Sequence, residues 1–346
     1  MLRANLVEPQ KIVMEQVEPP PEPGPGEVRL RIETCGICGS DIHAYYGEHP
    51  YINCPVQPGH EFTGTIDQLG AGVTGWESGQ RVTAEPSLVC GACENCLNGN
   101  YHICYNLRVI GCQSDGALAE YLNVPAKKLV ALPDNMTFEQ GSFVEPLAVG
   151  VHFANLAQLQ PDTRLLILGS GTIGLMCLLA ARARGVTEIT VTDPLENKLA
   201  LARELGAKYT VNVAQTSLAA FAREMYGTDL AYDVACECVG AEATIRDGIG
   251  ALKKGGTLIV GGVFPHEVPV NLGFVQDREL KLIGSLMYQM HEFVHARDLI
   301  ATGRAVVDAL ITARYSLEQV PEALQAIDAN PAHNVKTMIH IRPQES

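Results

Sequence analysis

The stretch ETCGICGSDIHAYYG (33–47) carries two cysteines, a serine, an aspartate and a histidine. Cys38, taken with His60 and Glu61 of PGHEFTG and Glu145 of FVEPLAVGVH, completes a set of S, N and O donors that suits zinc. The donors come from three separated segments, as in an open catalytic site assembled between loops. Taken singly, Cys38 or His60 reads equally well as a core residue. A second group is more specific: CGACENCLNGNYHIC places Cys90, Cys93, Cys96 and Cys104 at C-x2-C-x2-C-x7-C, a spacing that lets four thiolates surround one tetrahedral Zn²⁺ from a single loop. Its flanking Gly, Asn and Glu are loop residues. With every position a thiolate no coordination site stays open, so the ion is expected to be structural, an Fe–S cluster being the other group such a set serves.

A third pattern points to a dinucleotide. In RLLILGSGTIG, Gly169, Gly171 and Gly174 form G-x-G-x-x-G directly after an apolar strand and open a helix. Asp193, nineteen residues after Gly174, ends the next predicted strand, EITVTD, where a carboxylate accepts from a ribose 2′-OH. Backbone N–H groups at the helix start suit a pyrophosphate, and Asp193 would repel a 2′-phosphate. The expected cofactor is therefore NAD. Lys198 reads either as a further ribose contact or as an ordinary exposed helical lysine.

These residues need a scaffold. The 346 residues, 47% hydrophobic and 18% charged, suffice for two domains with sizeable cores. A net charge of −14 and a pI near 5.2 argue against nucleic acid or an anionic membrane as partner and favour a small molecule. The start, MLRANLVEPQKIVMEQ, lacks a signal-peptide apolar core, and the most apolar run, LLILGSGTIGLMCLLAA, is broken by Gly, Ser and Thr, so a soluble cytoplasmic protein is expected. In that compartment the eleven cysteines read as thiols or metal ligands before disulfides. Residues 1–150 alternate short β-branched runs (EVRLRIET, EFTGTIDQLG, QRVTAEP) with turn residues and predict a mostly antiparallel β domain. Residues 151–286 alternate apolar strands with Ala/Leu-rich helices, the last of them predicted over about 242–253, and predict parallel βαβ units. Residues 287–346 hold two helical stretches and a last strand, KTMIHIR, expected to return to the first domain.

GHE after CGICGSDIH, the four-cysteine loop, LPDN and TFE leading to EPLAVGVH, and ECVGAEATIRDGI resemble, in order and over almost the whole chain, the zinc-dependent medium-chain alcohol dehydrogenase superfamily, above all its sorbitol (polyol) dehydrogenase branch. The resemblance implies an α/β protein: a GroES-like β-rich catalytic domain with both zinc sites, plus a Rossmann domain with a doubly wound parallel sheet. It implies two zinc ions, the catalytic one on Cys38 and His60 with Glu61 or Glu145 supplying oxygen, and Asp41 fixing the tautomer of His60. Cofactor contacts are implied at Thr172, Ile173, Gly262, Val263 and Ser285, beside the glycines. Zinc would lower the pKa of an alcohol whose carbon gives a hydride to the nicotinamide, while Ser40 takes the proton and passes it through the cofactor ribose to His43. Met287 and Tyr288 would face the substrate, Met287 standing where the branch carries arginine, and Ala44 replaces the tyrosine that follows the relay histidine. Cys35, Cys54, Cys112, Cys177, Cys236 and Cys238 fall outside the ligand pattern and are expected in the core. The expected reaction converts a secondary alcohol of a polyol or sugar derivative to a ketone, in a homotetramer or homodimer. The alternatives are an L-threonine-type amino-alcohol dehydrogenase or one for sugar acids or sugar phosphates. A non-catalytic scaffold would have lost ligands, and none is lost.

Overall fold

In the computed structural model, which describes residues 1–342, the alternation of EVRLRIET becomes the strand Glu27–Ile37 in the middle of a seven-stranded sheet. Val28, Leu30 and Ile32 are fully buried and pack with Phe62, Ile66 and Val82, while the charged residues between them stay on the other face, as period two requires of a half-buried antiparallel sheet. Two neighbours of this strand matter most. Glu61–Leu69 pairs with it antiparallel on one side, and the last strand of the chain, Lys336–His340, pairs with it antiparallel on the other. That second pairing draws the C-terminal segment into the first compact unit, which comprises Met1–Glu145, Gln289–Gly303 and the chain from Val307 onward.

The second unit, Pro146–Tyr288 with Arg304–Val306, is built differently. The strands Leu165–Leu168 and Ile189–Asp193 are buried at every position, because helices cover both faces of a parallel sheet. Six parallel strands run in the order Tyr209–Asn212, Ile189–Asp193, Leu165–Leu168, Tyr232–Glu237, Leu252–Val260, Lys281–Gly284. Strand order reverses between Leu165–Leu168 and Tyr232–Glu237, the switch point at which doubly wound sheets open a crevice for ligand. The helix expected to reach residue 253 ends at Ala251, since Leu252 already pairs with Tyr232 as the start of the next strand. Among the described residues no helix is long and apolar enough to cross a membrane.

The glycine loop shows why its residue types are fixed. The helix Thr172–Ala183 begins at Gly171, and a Cβ on Gly174 would stand 2.0 Å from the carbonyl oxygen of Gly169. A Cβ on Gly171 meets nothing within 4 Å. The two glycines therefore differ, one packing the helix on the strand and the other standing beside open space, as expected of a position where a ligand approaches the backbone. Gly174→Ala should lower Tm by roughly 2–10 °C, the cost of forced overpacking. Gly171→Ala should leave Tm unchanged and weaken dinucleotide binding; thermal unfolding and a binding titration of both variants check the contrast.

Candidate metal and dinucleotide sites

The four-cysteine loop closes on itself as its spacing predicts. Cys90 Sγ lies 3.5 Å from Cys104 Sγ and 3.9 Å from Cys96 Sγ, and Cys93 Sγ lies 3.5 Å from Cys96 Sγ and 3.8 Å from Cys104 Sγ. Four sulfurs about 2.3 Å from a central Zn²⁺ stand roughly 3.8 Å apart at the corners of a tetrahedron. Backbone N–H groups also point at these sulfurs: Cys93 N donates to Cys90 Sγ at 3.3 Å, Cys90 N to Cys104 Sγ at 3.4 Å and Asn106 N to Cys104 Sγ at 3.3 Å. Donation from the Ala92 and Cys93 backbone lowers the Cys90 thiol to about 6, toward the thiolate a metal needs. The loop is anchored through Tyr101, whose hydroxyl donates to Glu85 at 3.3 Å and accepts from Met290 N at 2.5 Å, and Glu85 is in turn held by buried Lys128 at 2.8 Å.

The second donor group gathers where the strands Glu27–Ile37 and Glu61–Leu69 run side by side. Cys38 Sγ, a His60 ring nitrogen and a Glu61 carboxylate oxygen all lie within 4.8 Å of one another. Gly36, opposite Glu61 in the sheet, leaves room for that carboxylate: a Cβ there would sit 2.2 Å from Glu61 Oε2. His60 and Glu61 are adjacent in sequence, and Cys38 closes the group from the start of the helix Gly39–Tyr45. Asp41, in the first turn of that helix, accepts from Cys38 N at 2.9 Å through Oδ2 and holds Oδ1 at 3.7 Å from His60 Nδ1. Cys112 Sγ lies 3.9 Å from the same nitrogen, so this cysteine, read from sequence as a core residue, flanks the donor group. Burial pushes the Asp41 carboxyl up, against the pull of His60. Burial also opposes charge on His60, but Asp41 with the Cys112 and Cys38 thiols more than offsets it and raises the imidazole well above its ordinary value.

Glu145, weighed in the sequence as an alternative oxygen donor, is buried in the first turn of the helix Val144–Leu156 and lies outside the three-donor group. The residue that sequence reasoning missed is Lys336. Its ammonium donates to Glu61 Oε1 at 2.7 Å, to Oε2 at 2.5 Å and to the carbonyl of Ile37 at 3.1 Å, with both charged side chains 1% exposed. Burial alone would lower the pKa of Lys336; Glu61, Cys38 and Glu145 together raise it instead, so the lysine stays charged beside the donors. Ser40 Oγ is buried without a hydrogen-bond partner, and His43, one turn further along the same helix, is exposed.

In the second unit Asp193 ends its strand and is 8% exposed. Its Oδ2 accepts from Ser170 N and its Oδ1 from Leu195 N, both at 2.9 Å, which ties the glycine loop to the neighbouring strand end and leaves each oxygen a further lone pair. Thr172 and Ile173 form the first turn of the glycine-loop helix, and Lys198 is half-buried on the helix Glu196–Glu204. Gly262 and Val263 follow the strand Leu252–Val260, and Ser285 follows Lys281–Gly284. Met287 takes a left-handed backbone, φ 52°, while Tyr288 is fully buried.

A four-thiol group and a mixed Cys–His–Glu group on a β unit, with a glycine loop on a doubly wound unit, are the features expected of a zinc-type, nucleotide-dependent oxidoreductase. Comparison with known proteins agrees: the family described as alcohol dehydrogenase GroES-like domain matches residues 24–134, and that described as zinc-binding dehydrogenase matches residues 172–302. Sorbitol dehydrogenase 2 of Saccharomyces cerevisiae is 36% identical over 341 residues, 95% of this chain and 94% of its own. L-threonine 3-dehydrogenase of a Chelativorans species is 32% identical over 325 residues, covering 93% and 94%. A zinc-binding dehydrogenase of Sinorhizobium meliloti, solved bound to NADP, matches with a TM-score of 0.91 at 34% identity over 98% of both chains. The chain belongs to the zinc-dependent medium-chain alcohol dehydrogenases, near their sorbitol dehydrogenase branch, and is a dehydrogenase of alcohols.

Breaking a buried ion pair from one side strands the other charge, at about 3–5 kcal/mol. Lys336→Met should therefore destabilise the zinc-free protein by about that amount, and the double variant Lys336→Met/Glu61→Gln should recover most of the loss. Urea unfolding of the three proteins after chelation measures both steps.

Proposed function

We propose that this enzyme reversibly oxidises a secondary alcohol of a polyol or related sugar derivative to a ketone, with NAD as hydride acceptor. The observation that carries the reading is the mixed S, N, O donor group of Cys38, His60 and Glu61. A carboxylate donor makes such a site harder than an all-thiolate and imidazole one, and so better suited to a substrate with several hydroxyls. Cys38, His60 and Glu61 would hold the catalytic zinc, with Glu145 as an acceptor near it, and Cys90, Cys93, Cys96 and Cys104 a structural zinc. When bound, the catalytic zinc supplies Lewis-acid polarisation that lowers the pKa of an alcohol, and the nicotinamide accepts its hydride. Asp41 orients His60, and Lys336 balances the charge of Glu61. Ser40 Oγ, buried and unpartnered, would accept the alcohol proton while giving up its own to a relay that ends at His43, which would release a proton at the solvent face of the same helix.

On the second unit, Gly169, Gly171, Thr172, Ile173 and Gly174 would receive the pyrophosphate, Asp193 would accept from the adenosine ribose with Lys198 as a further ribose contact, and Gly262, Val263 and Ser285 would meet the nicotinamide half. Repulsion of a 2′-phosphate by Asp193 supports NAD over NADP by roughly tenfold or more in affinity. Met287 and Tyr288 belong to the substrate end; with methionine in place of a guanidinium, that end loses a fork of donors and favours a shorter or partly deoxygenated substrate over hexitols. The presence of an L-threonine 3-dehydrogenase among the relatives favours an amino alcohol as the second reading. The eleven cysteines, all free, support a cytoplasmic setting. The exposed Leu272, Phe274, Leu282 and Leu286 around the edge strand Lys281–Gly284 support a homodimer or homotetramer.

Initial rates at 340 nm with NAD and with NADP, across polyols, sugar acids, sugar phosphates and L-threonine, test the reading. The highest kcat/KM is expected with NAD and a polyol, and Met287→Arg should raise kcat/KM for sorbitol or xylitol. Preference for L-threonine, together with no gain on polyols from Met287→Arg, would remove the polyol reading; preference for NADP would remove the role given to Asp193.

A further inference from the structure

The motif ECVGAEAT contains a second carboxylate at a strand end, and no step above uses it. Glu237 closes the strand Tyr232–Glu237 and is fully buried, yet it has no ion-pair partner among the described residues. Its charge is met by hydrogen-bond donors instead. Oε1 accepts from Val239 N at 2.9 Å, Gly240 N at 2.8 Å and Thr244 Oγ1 at 2.7 Å; Oε2 accepts from Gly262 N at 3.2 Å. One carboxylate thus joins two loops, the turn after its own strand and the turn after Leu252–Val260.

The two loops are packed as tightly as backbone allows. A Cβ on Gly262 would stand 2.1 Å from Gly240 N and 2.5 Å from Glu237 Oε2, and one on Gly240 would stand 2.2 Å from the carbonyl of Val263. No side chain can separate them, and the Glu237 carboxylate accepts from the backbone of both. Next to them, Ser285 donates its N–H to the carbonyl of Val260 at 2.8 Å and keeps a buried hydroxyl without a partner. An unpartnered buried hydroxyl is costly unless a ligand completes it.

Position says which part of the ligand these loops serve. A doubly wound sheet has two mononucleotide halves about its switch point. Asp193 and the glycine loop lie on the half that takes adenosine and pyrophosphate. The strands Tyr232–Glu237, Leu252–Val260 and Lys281–Gly284 make the other half. We infer that Glu237 is a positioning residue for the nicotinamide half of the cofactor, fixing the 238–240 and 261–263 loops against each other through four donated hydrogen bonds so that their backbone receives the nicotinamide ribose and ring. This inference rests on the dinucleotide reading of the second unit and is independent of the substrate.

Glu237→Gln tests it. The amide oxygen can still accept from Val239, Gly240 and Thr244, but the amide nitrogen then faces Gly262 N–H, donor against donor, and the second loop is released. Binding is measured by calorimetry for NADH and NADPH and for AMP, which reaches only the adenosine half, with hydrogen exchange reporting the Gly262 amide. The expected result is a Kd raised about tenfold for the dinucleotide that wild type prefers, a Kd for AMP within about twofold of wild type, and faster exchange at Gly262. Equal losses for AMP and dinucleotide, or an unchanged dinucleotide Kd with Gly262 released, would overturn the inference while leaving the cofactor reading intact. A wild type that binds neither dinucleotide would overturn both. Should the glutamine variant fail to fold, Thr244→Val removes a single donor from Oε1, with Thr244→Ser as the conservative control. Selective weakening of the dinucleotide in the valine variant and recovery in the serine variant are then expected, and loss of AMP alongside it would be the contrary result.

Discussion

A lysine and a glutamate 275 positions apart, both sealed from solvent, hold in place the end of the first unit that gathers Cys38, His60 and Glu61. Such a pair is a weak source of net stability, because desolvation of two charges offsets most of their attraction. Its consequence is geometric. The charged lysine is tolerated only where it can meet Glu61 and the Ile37 carbonyl, which fixes the register of the last strand on Glu27–Ile37. That register carries the C-terminal segment into the first unit. Glu61 in turn is oriented beside His60, and Gly36 leaves the space it fills. Displacing the pair would misplace two of the three donors at once.

The second unit solves a related problem without a cation. Asp193 and Glu237 both end parallel strands, and both are stabilised by backbone N–H groups from neighbouring loops. Hydrogen bonds to an ionised carboxylate are stronger than neutral ones, so each residue can act as a clamp on the loops around it. A cation would have stabilised the carboxylates more directly, but it would have occupied the rim where an anionic, hydroxyl-rich ligand approaches. Loops ordered by carboxylates need no cation at that rim, which suits the dinucleotide proposed to lie there.

Much of this was legible in the sequence where a short-range pattern carries the information. The period of two in EVRLRIET, the all-apolar LLIL, the cysteine spacing of 90–104 and the glycine pattern of 169–174 each follow from local geometry, and each appears in the structure as the elements expected. The change between these textures pointed to a β-rich part followed by parallel βαβ units, while the GroES-like and Rossmann assignment rested on the family resemblance. Lys336 was not legible, because a single lysine in KTMIHIR looks like an ordinary strand residue until the pairing places it on Glu61. Glu237 carries no visible role in the motif ECVGAEAT, since its donors come from two loops that meet only in the folded sheet. The grouping of Glu61, without Glu145, beside Cys38 and His60 was likewise not legible, because it depends on how the strands pair. Pattern reports what neighbours in sequence do, and these three cases depend on neighbours in space.

The proposed chemistry requires Cys38, His60 and Glu61 to be a metal centre distinct from the four-cysteine loop. Anomalous diffraction from zinc-loaded crystals, recorded on both sides of the zinc absorption edge, addresses this directly. Two peaks per chain are predicted, one enclosed by Cys90, Cys93, Cys96 and Cys104 and the other within bonding distance of Cys38 Sγ and a His60 ring nitrogen. A single peak in the cysteine loop, with none beside Cys38, would contradict it.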